Sequence, residues 1–231
     1  MTPETHVTRT LPLLLHIATV TTGLIDALSY LALGHVFTAN MTGNVVFLGF
    51  AVAGAPELSI ARSLTALVAF LIGALIGGRI ATHLSEVSKP SWITTALSLE
   101  SALLCAATLA AINFRASSGS AFQLYSITVI TAVAMGIRNA TVRKMGIADL
   151  TTTVLTLTVT GLAADSRFAG GTSPRWRRRV LAVVLMFLGA ALGTLLVRRS
   201  LVLPLATATL LSICCVAISM KQRDVLATRA L

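Results

Sequence analysis

The chain has 231 residues and a formal net charge of +10, and 55% of its residues are hydrophobic while only 11% are charged. Its mean hydropathy is +0.87. Soluble domains carry about 25% charged residues, because their surface must be hydrated. This composition excludes a soluble enzyme, a disordered chain and a disulfide scaffold, and it leaves an integral membrane protein.

Eight apolar segments follow one another along the chain. A helix needs about 20 apolar residues to span a membrane, and two of the segments are too short for this. The short segments, 41–54 and 150–164, are rich in Thr, Gly or Asn and follow polar, Gly-containing breaks. The long segments cover residues 11–34, 63–83, 92–112, 122–136 (extending to about 146), 180–197 and 201–219. The first is longer than a signal-peptide core and is expected to be a span. The predicted fold is all-α and polytopic, with six transmembrane helices and two short re-entrant or broken helices.

The order long–short–long–long occurs twice, which indicates an internal duplication. Three crossings in each repeat would invert the second repeat relative to the first, an organisation that recurs in transporters. The expected organisation is a tail over 1–10, one transmembrane domain over 11–220 with repeats 11–113 and 121–219, and a tail over 221–231. The glycines that align between the repeats are Gly23 with Gly136, Gly73 with Gly189, and Gly77 with Gly193.

The distribution of Lys and Arg favours six crossings over eight. Basic residues accumulate on the cytoplasmic side of membrane proteins. Six crossings place both termini on the basic, cytoplasmic side, whereas eight crossings divide the basic residues more evenly and remain an alternative. The basic cluster around Trp176 predicts contact with anionic headgroups rather than with nucleic acid. With six crossings, four of the 18 Lys and Arg residues lie on the other side: Arg62, Arg115, Arg198 and Arg199.

Charged residues inside the predicted spans are candidates for a functional site. Asp26 lies deep in the first span, where a carboxylate costs about 2.5–3.5 kcal/mol unless it is paired, protonated or facing water. It is expected to carry a proton or cation or to bind substrate, with a purely structural pairing as the alternative. Arg138, beside Asn139 in the second repeat, is its predicted partner. Glu100 lies in another span, and a structural role is favoured because no motif surrounds it.

The two short segments supply amide and hydroxyl groups that can bind an ion or a polar solute. They are predicted to enter from opposite faces and to meet near the midplane. Irregular backbone at that depth needs protein or a water-filled cavity around it, so a binding site is expected there. Helix capping and close packing are the alternative. Helix N-termini facing the site would favour an anion, whereas an unpaired Asp26 would favour a cation or proton. The predicted substrate-binding residues are Asp26, Thr38, Asn40, Thr42, Gly43, Asn44, Arg138, Asn139, Thr152, Thr153 and Thr156.

Two stretches carry a resemblance to a known family. Residues 37–44 read FTANMTGN and residues 136–141 read GIRNAT. They resemble the signatures of the YoaK family, bacterial membrane proteins of unassigned function, and the resemblance extends over roughly residues 10–220. It implies a multi-pass protein of the cell inner membrane, and it does not imply a substrate.

These features together predict a small secondary transporter or channel-like permease for a small polar solute or ion, with a midplane site. A non-transporting scaffold or accessory subunit is the alternative. No enzyme activity, cofactor or metal is expected, because the histidines are scattered and the catalytic motifs are absent from the sequence. The expected partners are the lipid bilayer and the solute, and the small-xxx-small glycines would serve packing within the chain or a homo-oligomer.

Overall fold

A computed structural model describes residues 3–84, 89–112, 121–146 and 155–228. Within these ranges the chain is helical and contains no strand, which confirms the predicted all-α class. Six helices are long and apolar enough to cross a membrane. The α-helices are α1 (Pro3–Ala32), α2 (Met41–Val52), α3 (Ile60–Leu84), α4 (Lys89–Ile112), α5 (Ala121–Met145), α6 (Leu155–Ala164), α7 (Trp176–Val197) and α8 (Val202–Thr228).

The two short helices α2 and α6 are too short to cross. They contain 12 and 10 residues, which corresponds to about 18 and 15 Å against a hydrocarbon core of about 30 Å. After α1, the left-handed Gly34 and His35 (φ 92° and 59°) turn the chain back. The Ala39 N–H then donates to Asp26 Oδ1 (3.2 Å), well inside α1. The chain therefore returns alongside α1 before α2 begins, as predicted for a re-entrant segment.

The core of the bundle is built from α1, α4, α5 and α8. One fully buried side chain from each of these helices contributes to the same apolar cluster: Ile25, Leu104, Met135 and Leu205. Helix α3 packs mainly on α5, and α7 packs mainly on α1. The short helices lie outside these, α2 on α3 and α6 on α7. Helices α2 and α6 do not contact each other, so the described parts of the two short segments do not meet as predicted. Helices α3 and α7 are the least buried of the six long helices, so they form much of the surface that faces lipid.

Glycines bring α3 against α5, and α7 against α1, with their backbones in contact. A Cβ atom at Gly73 would overlap the carbonyl oxygen of Val133 on α5. One at Gly189 would overlap the carbonyl oxygen of Val20 on α1. Membrane helices use small residues at such crossings because lipid gives them no hydrophobic drive to associate. The small-xxx-small patterns therefore serve packing within the chain.

Helices α4 and α8 run antiparallel, which bears on the number of crossings. Residue numbers fall along α8 as they rise along α4. With six crossings, α4 is the third and α8 the sixth, so they must run in opposite directions. With eight crossings, both would run the same way, and the observed pairing argues against that alternative. The paired hydroxyl groups are Thr94 with Ser219 (2.7 Å), Ser101 with Ser212 (2.7 Å) and Thr108 with Thr209 (3.0 Å).

Cysteine labelling can check the six crossings. With the three native cysteines replaced by alanine, we expect Pro56→Cys and Ser200→Cys to react with an impermeant maleimide from the same side of sealed vesicles. Ser173→Cys, in the loop before α7, should react only from the opposite side. If Pro56→Cys were labelled together with Ser173→Cys, α2 would cross the membrane and the six-crossing topology would be wrong.

Candidate functional site

The central polar feature of the bundle is a buried ion pair between α4 and α5. Arg138 Nη2 contacts Glu100 Oε1, and the two side chains are only 4% and 1% exposed. Arg138 Nη1 also donates to the carbonyl oxygen of Ala18 (3.0 Å) and to Thr22 Oγ1 (3.3 Å) on α1. The guanidinium group thus reaches from α5 to two other core helices.

Glu100 extends this network to the fourth core helix. Its Oε1 accepts a hydrogen bond from Ser212 Oγ on α8 (3.0 Å). The Ser212 and Ser101 hydroxyl groups are themselves 2.7 Å apart. The ion pair is therefore linked by hydrogen bonds to all four helices that form the core. Any rearrangement of these helices against one another must break or rebuild some of these bonds.

Each partner of the ion pair retains one buried polar atom that none of the described residues satisfies. Among the described residues, Glu100 Oε2 and Arg138 Nε have no hydrogen-bond partner. Both side chains line a cavity of about 20 Å³ between α1, α4 and α5, whose other lining residues include Leu14, Leu97 and Thr141. A cavity holds one water molecule once it exceeds roughly 10–15 Å³. The cavity therefore has room for one water molecule, although its surface is almost entirely apolar.

A buried ion pair of this kind is costly, which makes its presence informative. Removing two charges from water costs several kcal/mol for each ion, and apolar replacements of both partners are often neutral or stabilising (by about 1–4 kcal/mol). Ionisable residues inside membrane segments are rare, and each is by default a hypothesis of a functional site. The ion pair of Glu100 and Arg138 is thus a stronger candidate for a functional site than the sequence around Glu100, which contains no motif, indicated.

The predicted pairing of Asp26 with Arg138 is wrong. Arg138 binds Glu100, and among the described residues no ion pair joins it to Asp26. The two side chains lie at different depths, since Arg138 contacts Ala18 and Thr22 while Asp26 is four to eight residues further along α1, about 6–12 Å. Asp26 is 7% exposed and accepts its hydrogen bond from the backbone of the re-entrant turn.

The residues predicted from the first short segment divide between structural contacts and one free group. Asn44 is fully buried, and its amide accepts from Phe37 N (2.8 Å) and donates to Phe37 O, so it clamps the turn. Asn40 caps α2 by accepting from Gly43 N (3.4 Å). Thr42 is exposed. Only Thr38, which precedes the Ala39 amide bound to Asp26, keeps a buried hydroxyl without a described partner.

The second group of predicted residues is only partly described. Thr152 and Thr153 lie outside the described residues, and Thr156 is exposed on α6. Asn139 is buried next to Arg138 on α5. It therefore lies near the depth of Ala18, some 12 Å along α1 from Asp26. The structure does not bring Asp26 and Asn139 into one site, and it places the described polar groups in two regions.

Glu100 is the residue whose importance the sequence analysis missed. A usable signal was present, because a buried Arg138 requires a counter-charge and Glu100 is the acidic residue inside another long apolar segment. The preference for Asp26 rested on its depth in the first span, whereas its carboxylate accepts a hydrogen bond from the backbone of the re-entrant turn. Among the described residues, no group of three His, Cys, Asp or Glu side chains could hold a metal ion.

The fold and this site define a polytopic α-helical membrane protein with six long apolar helices and a buried ion pair at its core. Residues 14–218 match the family described as "Protein of unknown function (DUF1275)", and the chain belongs to this family. It is 36% identical over 152 residues to the "UPF0700 transmembrane protein YoaK" of Bacillus subtilis (strain 168); the match covers 66% of this chain and 65% of that relative. The predicted resemblance to the YoaK family is confirmed. No solved structure matches the chain.

Proposed function

We propose that the protein is a small secondary transporter or channel-like permease for a small polar solute or ion. The observation that carries the proposal is the ion pair of Glu100 and Arg138, which joins the core helices yet, among the described residues, keeps one buried acceptor and one buried donor without a partner. A protein that only needed to pack would gain stability from apolar residues at these positions.

The packing of the helices supports an inverted repeat. The contact of α1 with α7 has its counterpart in α5 with α3, and that of α4 with α5 in α8 with α1. Leu15 packs on Val142, and Arg138 binds Ala18, so residue numbers fall along α5 as they rise along α1. Equivalent helices α1 and α5 are thus antiparallel, as α4 and α8 are. Inverted repeats of this kind recur in secondary transporters, with sites at the repeat interface.

The proposed location is the cell inner membrane, with both termini on its cytoplasmic side. Six crossings then put the arginine-rich start of α7 on the cytoplasmic side, in agreement with the positive-inside rule. The cavity beside the ion pair lies between Leu14, near the start of the first span, and Met145, near the end of α5. A solute would therefore approach the pair from the cytoplasmic half of the bundle.

The ion pair is proposed to act as the binding element of a closed state. An anionic group would compete with Glu100 for the Arg138 guanidinium, and a cationic group would compete with Arg138 for the carboxylate. A zwitterion would satisfy both at once. Because the pair also bonds α1 and α8, its exchange for solute contacts would loosen these helices. Asp26 and the Thr38 hydroxyl form a second polar position near the opposite end of α1.

Flux into proteoliposomes tests this proposal. We expect the wild-type protein to move at least one of chloride, inorganic phosphate, sodium or glycine faster than protein-free liposomes do. The double variant Glu100→Gln/Arg138→Gln, which removes both charges together, should lose that flux by about tenfold or more, in the range of a tight polar contact. The variant Glu57→Gln/Arg199→Gln makes the same changes at exposed loop positions and should retain it.

Two outcomes would overturn the proposal. Wild-type protein that moves none of the four solutes would favour the scaffold or accessory subunit. A double variant that folds and transports at the wild-type rate would show that the ion pair serves structure alone. Thermal unfolding of each purified variant in detergent separates loss of fold from loss of flux.

A further inference from the structure

The loop between α6 and α7, residues 165–175, is fixed to the body of the protein by an arginine. Arg179 is buried near the start of α7, and its Nη1 donates to the Gly161 carbonyl oxygen (2.6 Å) and to Asp165 Oδ2 (2.7 Å). A side chain at Gly161 would collide with this guanidinium group. The end of α6 and the beginning of the loop are therefore held directly against α7.

Hydrogen bonds within the loop give it a defined shape. The Ser173 N–H donates to the Asp165 carbonyl oxygen (2.8 Å), and the Gly171 N–H donates to that of Ser166 (2.9 Å). The Arg167 N–H donates to Ser173 Oγ (3.1 Å). A surface formed by this loop is thus already shaped before anything binds to it, which lowers the entropic cost of binding.

The loop borders an open cavity with a polar and an apolar side. The cavity measures about 560 Å³, which is the size of a small-molecule site. Arg167, Thr172 and Ser173 supply a cation and two hydroxyl groups. Leu162 and Trp176 supply apolar surface on the side of the helices. A ligand that fits must carry an acceptor-rich head next to an apolar portion.

Two aromatic residues place this cavity at the membrane surface. Phe168 is fully exposed and Trp176 is half exposed, at the end where the long apolar helix α7 begins. Trp is enriched at the headgroup level of membranes, and aromatic side chains beside basic residues insert at that level. The cavity therefore opens where headgroups and the first carbons of acyl chains lie.

The positive charges around the cavity favour a negatively charged headgroup. Asp165 is the acidic residue of the stretch from 165 to 179, and it is bound to Arg179. Arg167 is exposed at the cavity, and Arg177 lies over the Trp176 ring (5.6 Å). Arginine binds phosphate through parallel N–H···O bonds, and basic segments at the membrane surface attract anionic lipids.

We infer that this cavity binds the headgroup of an anionic glycerophospholipid. Arg167 and the hydroxyl groups of Thr172 and Ser173 hold the phosphate, while Leu162 and Trp176 contact the glycerol and the upper part of the acyl chains. The inference concerns lipid recognition and does not depend on transport.

Native mass spectrometry of the full chain in detergent tests this inference, with phosphatidylglycerol, phosphatidylcholine of the same acyl chains, and inorganic phosphate as probes. We expect phosphatidylglycerol to bind at least about fivefold more tightly than phosphatidylcholine. Arg167→Gln should weaken phosphatidylglycerol binding about fivefold and abolish this preference. Arg199→Gln, an exposed arginine at the other end of α7, is the matched control and should change the affinity less than twofold.

The contrary results are distinct. Equal effects of Arg167→Gln and Arg199→Gln would show attraction to general positive charge and would overturn the site. Binding of inorganic phosphate that matches phosphatidylglycerol, or that displaces it, would show an ion site without lipid recognition and would also overturn the inference. Thr172→Val, which removes one hydroxyl group at constant size, provides a second variant. It should weaken the binding of phosphatidylglycerol without altering the thermal stability of the protein.

Discussion

Replacing Arg138 alone by methionine is expected to lower the free energy of unfolding by about 3–5 kcal/mol, the typical cost of breaking a buried ion pair on one side. Glu100 is 1% exposed, and without Arg138 its carboxylate would stay buried with Ser212 as its described donor. The double variant Glu100→Gln/Arg138→Met should recover most of the loss, because neither charge then remains unpaired. Unfolding in mixed detergent–SDS micelles measures all three free energies.

The ion pair of Arg179 and Asp165 is the matched control for this prediction. Its N···O distance is 2.7 Å, but the Asp165 side chain is 45% exposed. Arg179 is buried but keeps its hydrogen bond to the Gly161 carbonyl oxygen, so Asp165→Asn should cost less than breaking the core pair, about 1.5–3 kcal/mol, the range of one hydrogen bond to a charged group. If Arg138→Met cost no more than Asp165→Asn, water would reach the core pair, and its proposed burial among the helices would be contradicted.

The architecture follows from length and hydropathy with little ambiguity. A bilayer sets a minimum length for a span, so the six long segments and the two short ones were separable by counting apolar residues. The re-entrant path was also predictable, since a polar, Gly-containing break between 34 and 40 cannot continue a helix. In the structure, the helix ends there because Gly34 and His35 adopt the left-handed backbone conformation.

The partner of Arg138 was not predictable from one sequence. Asp26 and Glu100 both lie inside long apolar segments, and the choice between them depends on how far α4 and α1 slide along α5. That register is set by side-chain packing between these helices, such as Leu15 of α1 against Val142 of α5, which the sequence pattern alone does not fix. The aligned glycines did predict where helices touch, but not at which depth the charges meet.

Asn44 shows that one residue type can have two uses inside an apolar segment. An amide inside an apolar segment was read as a ligand for solute, whereas it binds the backbone N–H and carbonyl group of Phe37, seven residues earlier. A chain that turns back within a membrane exposes backbone groups that water cannot satisfy. The same residue types therefore serve binding sites and re-entrant turns, and only the fold distinguishes the two uses.

The second large effect is expected from single methyl groups at the helix crossings. Gly73→Ala should lower the free energy of unfolding by about 1–3 kcal/mol, the usual cost of overpacking. Its Cβ atom would overlap the Val133 carbonyl oxygen, and backbone cannot yield as a flexible side chain can. Gly78→Ala, on the same helix with nothing within 4 Å of its Cβ position, is the control. It should be neutral or stabilising by about 0.5–1 kcal/mol, the helix preference of Ala over Gly.

The counterpart substitution Gly189→Ala extends the prediction to the other half of the molecule. Its Cβ atom would overlap the Val20 carbonyl oxygen on α1, as that of Gly73 overlaps Val133 on α5. The loss should therefore be similar to that of Gly73→Ala. Because the two crossings are separate, the double variant should lose the sum to within about 0.5 kcal/mol. A Gly189→Ala variant as stable as wild type, beside a destabilised Gly73→Ala, would mean that the two crossings are not packed alike, which would count against the inverted repeat.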